Sequence, residues 1–302
     1  MKELVVISGK GGTGKTSLVA SFAALARDAV LADGDVDAAD LHLILAPEIR
    51  RREEFRSGHG AAIRAGDCVG CGRCAATCRF GAISAAVRPS DGTRIYAIDA
   101  GACEGCGVCV WNCPVRAIDF SERICGEWFV SDTRHGSMVH ARLAPGAENS
   151  GKLVHLVREQ ARHVAAQNGS EIVLVDGPPG TGCPVIAAMT GTSGVLVVTE
   201  PTVSGAHDLA RVLELTAHFK IPAAVCINKW DIHPEQADRI EATARDLGAT
   251  PVGRIRYGKA ATAAQRRSLA IVETGDHPLA DDVRAVWKRW LESVGGGAEK
   301  NP

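Results

Sequence analysis

The chain has 302 residues, with 34 Lys and Arg against 35 Asp and Glu for a net charge of −1, and 46% of it is hydrophobic. That balance excludes a global basic field toward nucleic acid or anionic lipid, and no stretch approaches the roughly 18 apolar residues of a bilayer-spanning helix. A chain this long buries roughly 75% of its unfolded surface, so its 11 cysteines are not needed merely to staple a core.

Met1-Lys2-Glu3 leads straight into the apolar run Leu4-Val5-Val6-Ile7, a predicted buried strand over 3–8. Without a basic n-region or cleavage site a secretory signal is not expected, and unexported thiols at metal spacing imply a cytoplasmic protein. Gly9-Lys10-Gly11-Gly12-Thr13-Gly14-Lys15-Thr16 matches G-x4-G-K-S/T. In such a loop the backbone N–H groups close around phosphate at a helix N-terminus, the lysine reaches the β- and γ-phosphates and the threonine hydroxyl ligates Mg²⁺. Gly9 to Ser17 is therefore the expected nucleotide-contact run, with Lys15 and Thr16 in those roles. A helix over 15–27 turns Leu18, Val19, Phe22 and Leu25 inward, and a short strand over 29–32 ends in Asp33-Gly34-Asp35. Arg50-Arg51-Arg52, offset by Glu53-Glu54, reads as a solvated helix face.

Between 57 and 123 the strand–helix rhythm stops. Cys68, Cys71, Cys74 and Cys78 read C-x2-C-x2-C-x3-C, and Cys103, Cys106, Cys109 and Cys113 repeat the run 35 residues later. This is the ligand spacing of a ferredoxin with two 4Fe–4S clusters, in which the fourth cysteine of each run serves the other cluster. The expected sets are Cys68, Cys71, Cys74 with Cys113, and Cys103, Cys106, Cys109 with Cys78. Zinc is the rival, but zinc ribbons use two cysteines per run and lack the third and fourth. The region reads as an inserted domain over 57–123, with 1–56 and 124–302 forming the parent domain. Residues 125–149 are expected to be the return path.

Further strands are predicted over 172–175, 195–198 and 223–227, with helices over 151–166 and 206–219. Strands alternating with helices argue an α/β fold, a mostly parallel sheet covered by helices on both faces. Asp176 closes the first of these strands as a Walker B carboxylate should. Cys183 follows the loop Gly177-Pro178-Pro179-Gly180. Asn228-Lys229-Trp230-Asp231 matches N-K-x-D, the pattern by which GTPases read guanine; ATP is the favoured reading and GTP stays open. Cys226 reads as a buried hydrophobe, Cys125 as ambiguous, and 283–294 as a core-packing helix with Val283, Val286, Trp287 and Trp290 on one face.

The run from Lys10 to Thr16 resembles the deviant Walker A of the MinD, Mrp and nitrogenase iron protein group of P-loop ATPases. Asp33-Gly34-Asp35, Asp176-Gly177-Pro178-Pro179-Gly180 and Thr199-Glu200-Pro201 extend the resemblance across the sheet. The likeness implies a dimer in which Lys10 reaches the partner's phosphates, Asp35 positions the attacking water, and Asp176 with its following loop senses the γ-phosphate. It also implies that Asn228 contacts adenine, and it offers Cys183 as a thiol or ligand of a cluster between subunits. The chain thus resembles a MinD-superfamily ATPase holding an inserted two-cluster ferredoxin module. The expected function is ATP-gated electron transfer, as a homodimer or a heterodimer with a paralogue, toward a redox or metal-cofactor protein. A cluster carrier and a MinD-like positioning ATPase with structural clusters are the alternatives.

Overall fold

In the computed structural model, which describes residues 1–147 and 149–295, a nine-stranded sheet runs in the order β11-β10-β9-β1-β8-β2-β7-β6-β3. Its strands are β1 (Lys2–Ser8), β2 (Val30–Asp33), β3 (Glu48–Ile63), β6 (Ile118–Thr133), β7 (Gly136–Leu143), β8 (Ile172–Pro179), β9 (Gly194–Thr199), β10 (Ala223–Asn228) and β11 (Thr250–Ile255). The pairs β11/β10, β10/β9, β9/β1, β1/β8, β8/β2 and β2/β7 are all parallel. β6 and β7 form a hairpin across Arg134-His135 at the other side. The central strands are buried along nearly their whole length, which is why they read as continuous Val/Ile/Leu runs and not as alternation.

Two compact units share the chain. Among the described residues the first takes Met1–Glu53, Glu127–Leu143 and 149–295; the second takes Glu54–Gly126 with the short return from Ala144. In the first, α1 (Lys15–Leu25) follows β1, and α5 (Ser150–Asn168), α6 (Cys183–Met189), α7 (Val203–His218) and α8 (Pro234–Asp246) connect the later strands. α10 (Pro278–Gly295) buries Val283, Val286, Trp287 and Trp290. Phe22 of α1 stacks on Trp287 at 5.1 Å and lies 5.8 Å from Trp290. The aromatic face of the last helix is thus spent on the core, as its periodicity predicts. Among the described residues no helix is long and apolar enough to cross a membrane.

The structure departs from the sequence reading at two places. Residues 125–149 are more than a return path, because β7 pairs with β2 and buries Met138, Val139 and Ala141. Arg50-Arg51-Arg52 lies on an exposed strand, β3, and not on a helix. Its charges find partners there: Arg50 on Asp132 and Arg52 on Glu127 of neighbouring β6, and Arg51 on Glu53, with Arg51 also over the Trp128 ring. Cross-strand pairs of this kind satisfy a strand as readily as i, i+4 pairs satisfy a helix.

The second unit shows the repeat as geometry. α3 (Arg73–Thr77) lies within the first cysteine run and carries Cys74, α4 (Val108–Trp111) lies within the second and carries Cys109, and β4 (Ile83–Val87) and β5 (Arg94–Ile98) pair antiparallel between them. Gly70 and Gly105, equivalent in the repeat, both adopt left-handed φ, 65° and 62°. A Cβ there would lie 2.3 Å from the Arg94 carbonyl oxygen or 2.0 Å from that of His59, so only glycine fits.

Beneath the parallel sheet, Glu3 is 5% exposed and accepts from Arg158 Nε at 2.7 Å and Arg162 Nη1 at 3.2 Å. Arg158, 2% exposed, also donates to the Ala187 and Thr190 carbonyls of α6 and its cap, so one guanidinium ties β1, α5 and α6 together. Removing one partner of such a pair strands a buried charge. Arg158→Ala is expected to lower unfolding free energy by about 3–5 kcal/mol in urea melts; a loss no larger than a surface substitution gives would contradict this role.

Candidate nucleotide site and cysteine cavities

The sheet changes its winding direction around β1. The chain passes from β1 through α1 to β2 on one side, and from β8 through α6 to β9 on the other. Ligands of open α/β sheets bind outside the carboxyl ends of strands at such a point. Here β1 delivers the glycine loop and Lys15, β2 delivers Asp33 and Asp35, and β8, between them, delivers Asp176. An open cleft of about 1510 Å³ is lined there by Gly11, Gly12, Gly14, Lys15, Thr16, Ser17 and Asp35, together with Pro178 and Pro179.

The loop is braced from beneath. Gly14 has φ 91°, and a Cβ on it would meet Asn228 Nδ2 at 2.5 Å. That same amide donates to the Thr13 carbonyl at 2.7 Å, while Asn228 Oδ1 accepts the Lys229 N–H at 3.0 Å. Asn228 is thus held against the loop from β10. Gly9 and Thr13 belong to the loop without lining the cleft; Thr13 is 1% exposed.

Asp176 is 1% exposed, and neither carboxylate oxygen has a hydrogen-bond partner. Burial pushes its pKa up to about 7 against the pull of nearby Lys15. Asp33, its register partner on β2, accepts the N–H groups of Asp35 and Leu41, and burial followed by repulsion from Asp176 raises it as well. Asp35 is raised by burial, opposed by Lys15. Two unpartnered buried oxygens near the Thr16 hydroxyl fit a divalent cation, which repays the desolvation of the carboxylate.

Lys10 and Lys15 part company. Lys15, 5% exposed, lines the cleft, whereas Lys10 does not. Lys10 Nζ lies 3.3 Å from Glu200 Oε2 and donates to Thr202 Oγ1 at 3.3 Å and Ser204 Oγ at 3.5 Å. The other oxygen of Glu200 takes Lys229 Nζ at 2.5 Å. Glu200 is a residue that motif reading quotes without assigning; only the fold shows it gathering two lysines beside the loop. Gln265 of α9 (Lys259–Gln265) was equally invisible: it lines the cleft and its Nε2 donates to Ser17 Oγ at 2.7 Å. Asp231 stands apart from the cleft, accepting the Tyr257 N–H on Oδ1 at 2.6 Å.

In the second unit the eight cysteines of the runs divide into two sets. Cys68, Cys71, Cys74 and Cys113 line one void of about 320 Å³; Cys78, Cys103, Cys106 and Cys109 line another of about 350 Å³. The membership crosses between the runs as the ferredoxin spacing predicts. Among the described residues no three His, Cys, Asp or Glu side chains converge on one metal ion. The thiols ring two apolar cavities with the set membership expected of a two-cluster ferredoxin. Burial pushes the Cys74 and Cys109 thiols up, so loading the cavities must displace protons.

The remaining cysteines differ from these and from one another. Cys125 is buried and donates to the Ser57 carbonyl at 3.0 Å, and Cys226 is wholly buried with its thiol pKa raised by burial. Cys183 is exposed at the start of α6.

Residues 61–120 match the family described as the 4Fe-4S dicluster domain. An uncharacterized protein of Methanocaldococcus jannaschii is 33% identical over 230 residues, covering 75% of this chain and 78% of its own. The MinC:MinD cell division protein complex of Aquifex aeolicus gives a TM-score of 0.57 at 17% identity, covering 97% of this chain and 96% of that one. The septum site-determining protein MinD of Pyrococcus horikoshii, complexed with Mg-ADP, gives 0.58 at 14% identity, covering 98% and 97%. At these identities the solved structures establish the fold.

Asp176 makes the site pH-sensitive. Between about pH 4 and pH 7 the native carboxyl keeps a proton that the unfolded chain releases, so its contribution to stability falls as pH rises through that window. A cation competes with the same proton, so Mg²⁺-nucleotide affinity is expected to rise from pH 6 to pH 8. Asp176→Asn is expected to stabilise the metal-free protein at pH 8 by roughly 1–3 kcal/mol in urea melts and to flatten that affinity profile. A variant with the wild-type profile would contradict the assignment.

Proposed function

The chain belongs to one family with the M. jannaschii protein and has a MinD-type P-loop fold carrying a 4Fe–4S dicluster domain; from that premise we propose that it is an ATPase whose nucleotide-driven dimer closure gates electron transfer through two clusters. The observation that carries the reading is the divergence of the two loop lysines. Lys15 faces the chain's own cleft, whereas Lys10 is held outside it by Glu200, Thr202 and Ser204, available to a second subunit's nucleotide.

Thr16 and Asp176 hold Mg²⁺, Lys15 and the loop N–H groups hold the phosphates, and Asp35, lining the cleft, orients the attacking water. The segment after Asp176, formed by the last residues of β8 and Gly180, responds to the γ-phosphate. Asn228 braces the loop at the adenine side. Cys68, Cys71, Cys74 and Cys113 hold one cluster, and Cys78, Cys103, Cys106 and Cys109 the other. When bound, such clusters supply one-electron transfer at a potential set by their surroundings. To move a dimer from about 1% to 99% closed, ATP must favour the closed state by roughly 5.5 kcal/mol, a scale that cross-subunit contacts to a triphosphate supply.

The proposed setting is cytoplasmic, as a homodimer or with a paralogue. The partner is a redox or metal-cofactor protein, with no role for nucleic acid or membrane. The exposed thiol of Cys183 favours a second reading, in which the dimer binds and passes on a further cluster.

Lys10→Ala separates closure from binding. The variant is expected to bind ATP within about threefold of wild type, since Lys10 is absent from the cleft. It is expected to lose ATP-dependent dimerisation in sedimentation velocity and at least roughly 90% of phosphate release, the tenfold that about 1.4 kcal/mol of lost transition-state contact yields. Dimerisation at the wild-type ATP concentration would remove the cross-subunit role.

A further inference from the structure

Beside the phosphate cleft lies a second pocket, of about 720 Å³, bordered by Asn228, Lys229, Arg256, Tyr257, Thr262 and Gln265. It shares Gly12, Gly14 and Ser17 with the cleft, so a nucleotide whose phosphates occupy the loop places its base here. Among the described residues no acidic side chain lines it, and Asp231, the last residue of the N-K-x-D run, is exposed outside it.

We propose that Asp231 is a positioning residue that fixes the wall of the base pocket and does not read the base; this deepens the ATP reading above and rests on it. Its Oδ1 accepts the Tyr257 N–H at 2.6 Å. The preceding residue is held by α10, where Asp282 accepts from Arg256 N at 3.1 Å, Nε at 2.6 Å and Nη2 at 2.9 Å. The segment leaving β11 is therefore pinned by two carboxylates, one from the turn after β10 and one from α10.

The rest of the motif is spent on the phosphate loop. Asn228 donates to the Thr13 carbonyl, and Lys229 Nζ lies 3.4 Å from the Gly12 carbonyl oxygen. A carboxylate that reads guanine accepts from both N1–H and the exocyclic amine, and needs its two oxygens inside the pocket. Here one oxygen is engaged elsewhere and the residue does not face the base. Adenine makes no such demand; its edge offers an amine donor and a ring acceptor, which the Gln265 amide and Thr262 hydroxyl at the pocket rim complement.

Two variants test this: Asp231→Ala, and Asp231→Asn, which keeps an oxygen to accept the Tyr257 N–H. The readouts are amide hydrogen exchange at Tyr257 without nucleotide, and dissociation constants for ATP, GTP and XTP. Asp231→Ala is expected to speed Tyr257 exchange about tenfold and weaken ATP roughly three- to tenfold, the size of one hydrogen bond. Asp231→Asn is expected to restore most of both. A gain of XTP binding with loss of GTP in Asp231→Asn would overturn the proposal, because an asparagine that reads the base offers its amine to the xanthine 2-oxygen. Unchanged Tyr257 exchange in Asp231→Ala would overturn it as well. A wild type that prefers GTP to ATP would instead sink the ATP reading, while Tyr257 exchange would still test the hydrogen bond.

Discussion

A carboxylate buried on the middle strand of three, with both oxygens unpartnered, is an energetic debt that the rest of the nucleotide site is arranged around. Asp176 lies beside Asp33 on one flank and the strand feeding the phosphate loop on the other. An unsatisfied buried polar group costs about 1–3 kcal/mol, more when charged. Burial raises the Asp176 pKa to about 7, so the cost is lessened by holding a proton. A bound cation relieves it directly, so ligand binding and the stability of the central strands draw on the same free energy. β8 continues past this residue to Pro179, so the strand carrying Asp176 also carries Gly177, Pro178 and Pro179 to the edge of the cleft.

The two lysines of the loop show how a shared motif is divided by its surroundings. Lys15 opens α1 and is carried into the cleft by the helix geometry itself. Lys10 precedes the turn and is drawn sideways by a carboxylate after β9 that also binds Lys229. That arrangement leaves the early lysine partly exposed and held by weak, rearrangeable contacts, a suitable starting point for a residue that exchanges one anion for another.

What was legible in the sequence follows the range of the interactions concerned. The phosphate loop, the two cysteine runs and the buried strands β1, β8, β9 and β10 are local patterns, set by backbone periodicity or by ligand spacing within a dozen residues. The division of Cys78 and Cys113 between the cavities follows the ligand pattern known for this ferredoxin spacing. The hairpin of β6 and β7 was not legible. Met138-Val139-His140-Ala141 is a strand because β2 lies beside it, and its Gly- and Ser-rich approach hides that. Arg50 to Arg52 misled for the related reason that charge runs suit exposed helices and exposed strands alike, and only the partners on β6 decide. Glu200, Gln265 and the engagement of Asp231 with Tyr257 join residues far apart in the chain, and no local pattern announces them.

The most direct test of coupling is anaerobic EPR of the iron-loaded, reduced protein with and without MgATP, in wild type and in Lys10→Ala, with iron counted per chain. Two clusters require about eight irons. Gated electron transfer predicts that MgATP changes the cluster signal or its midpoint potential in wild type and leaves the variant unaffected. About eight irons with spectra indifferent to nucleotide in both proteins would contradict it, and would separate the clusters from the ATPase.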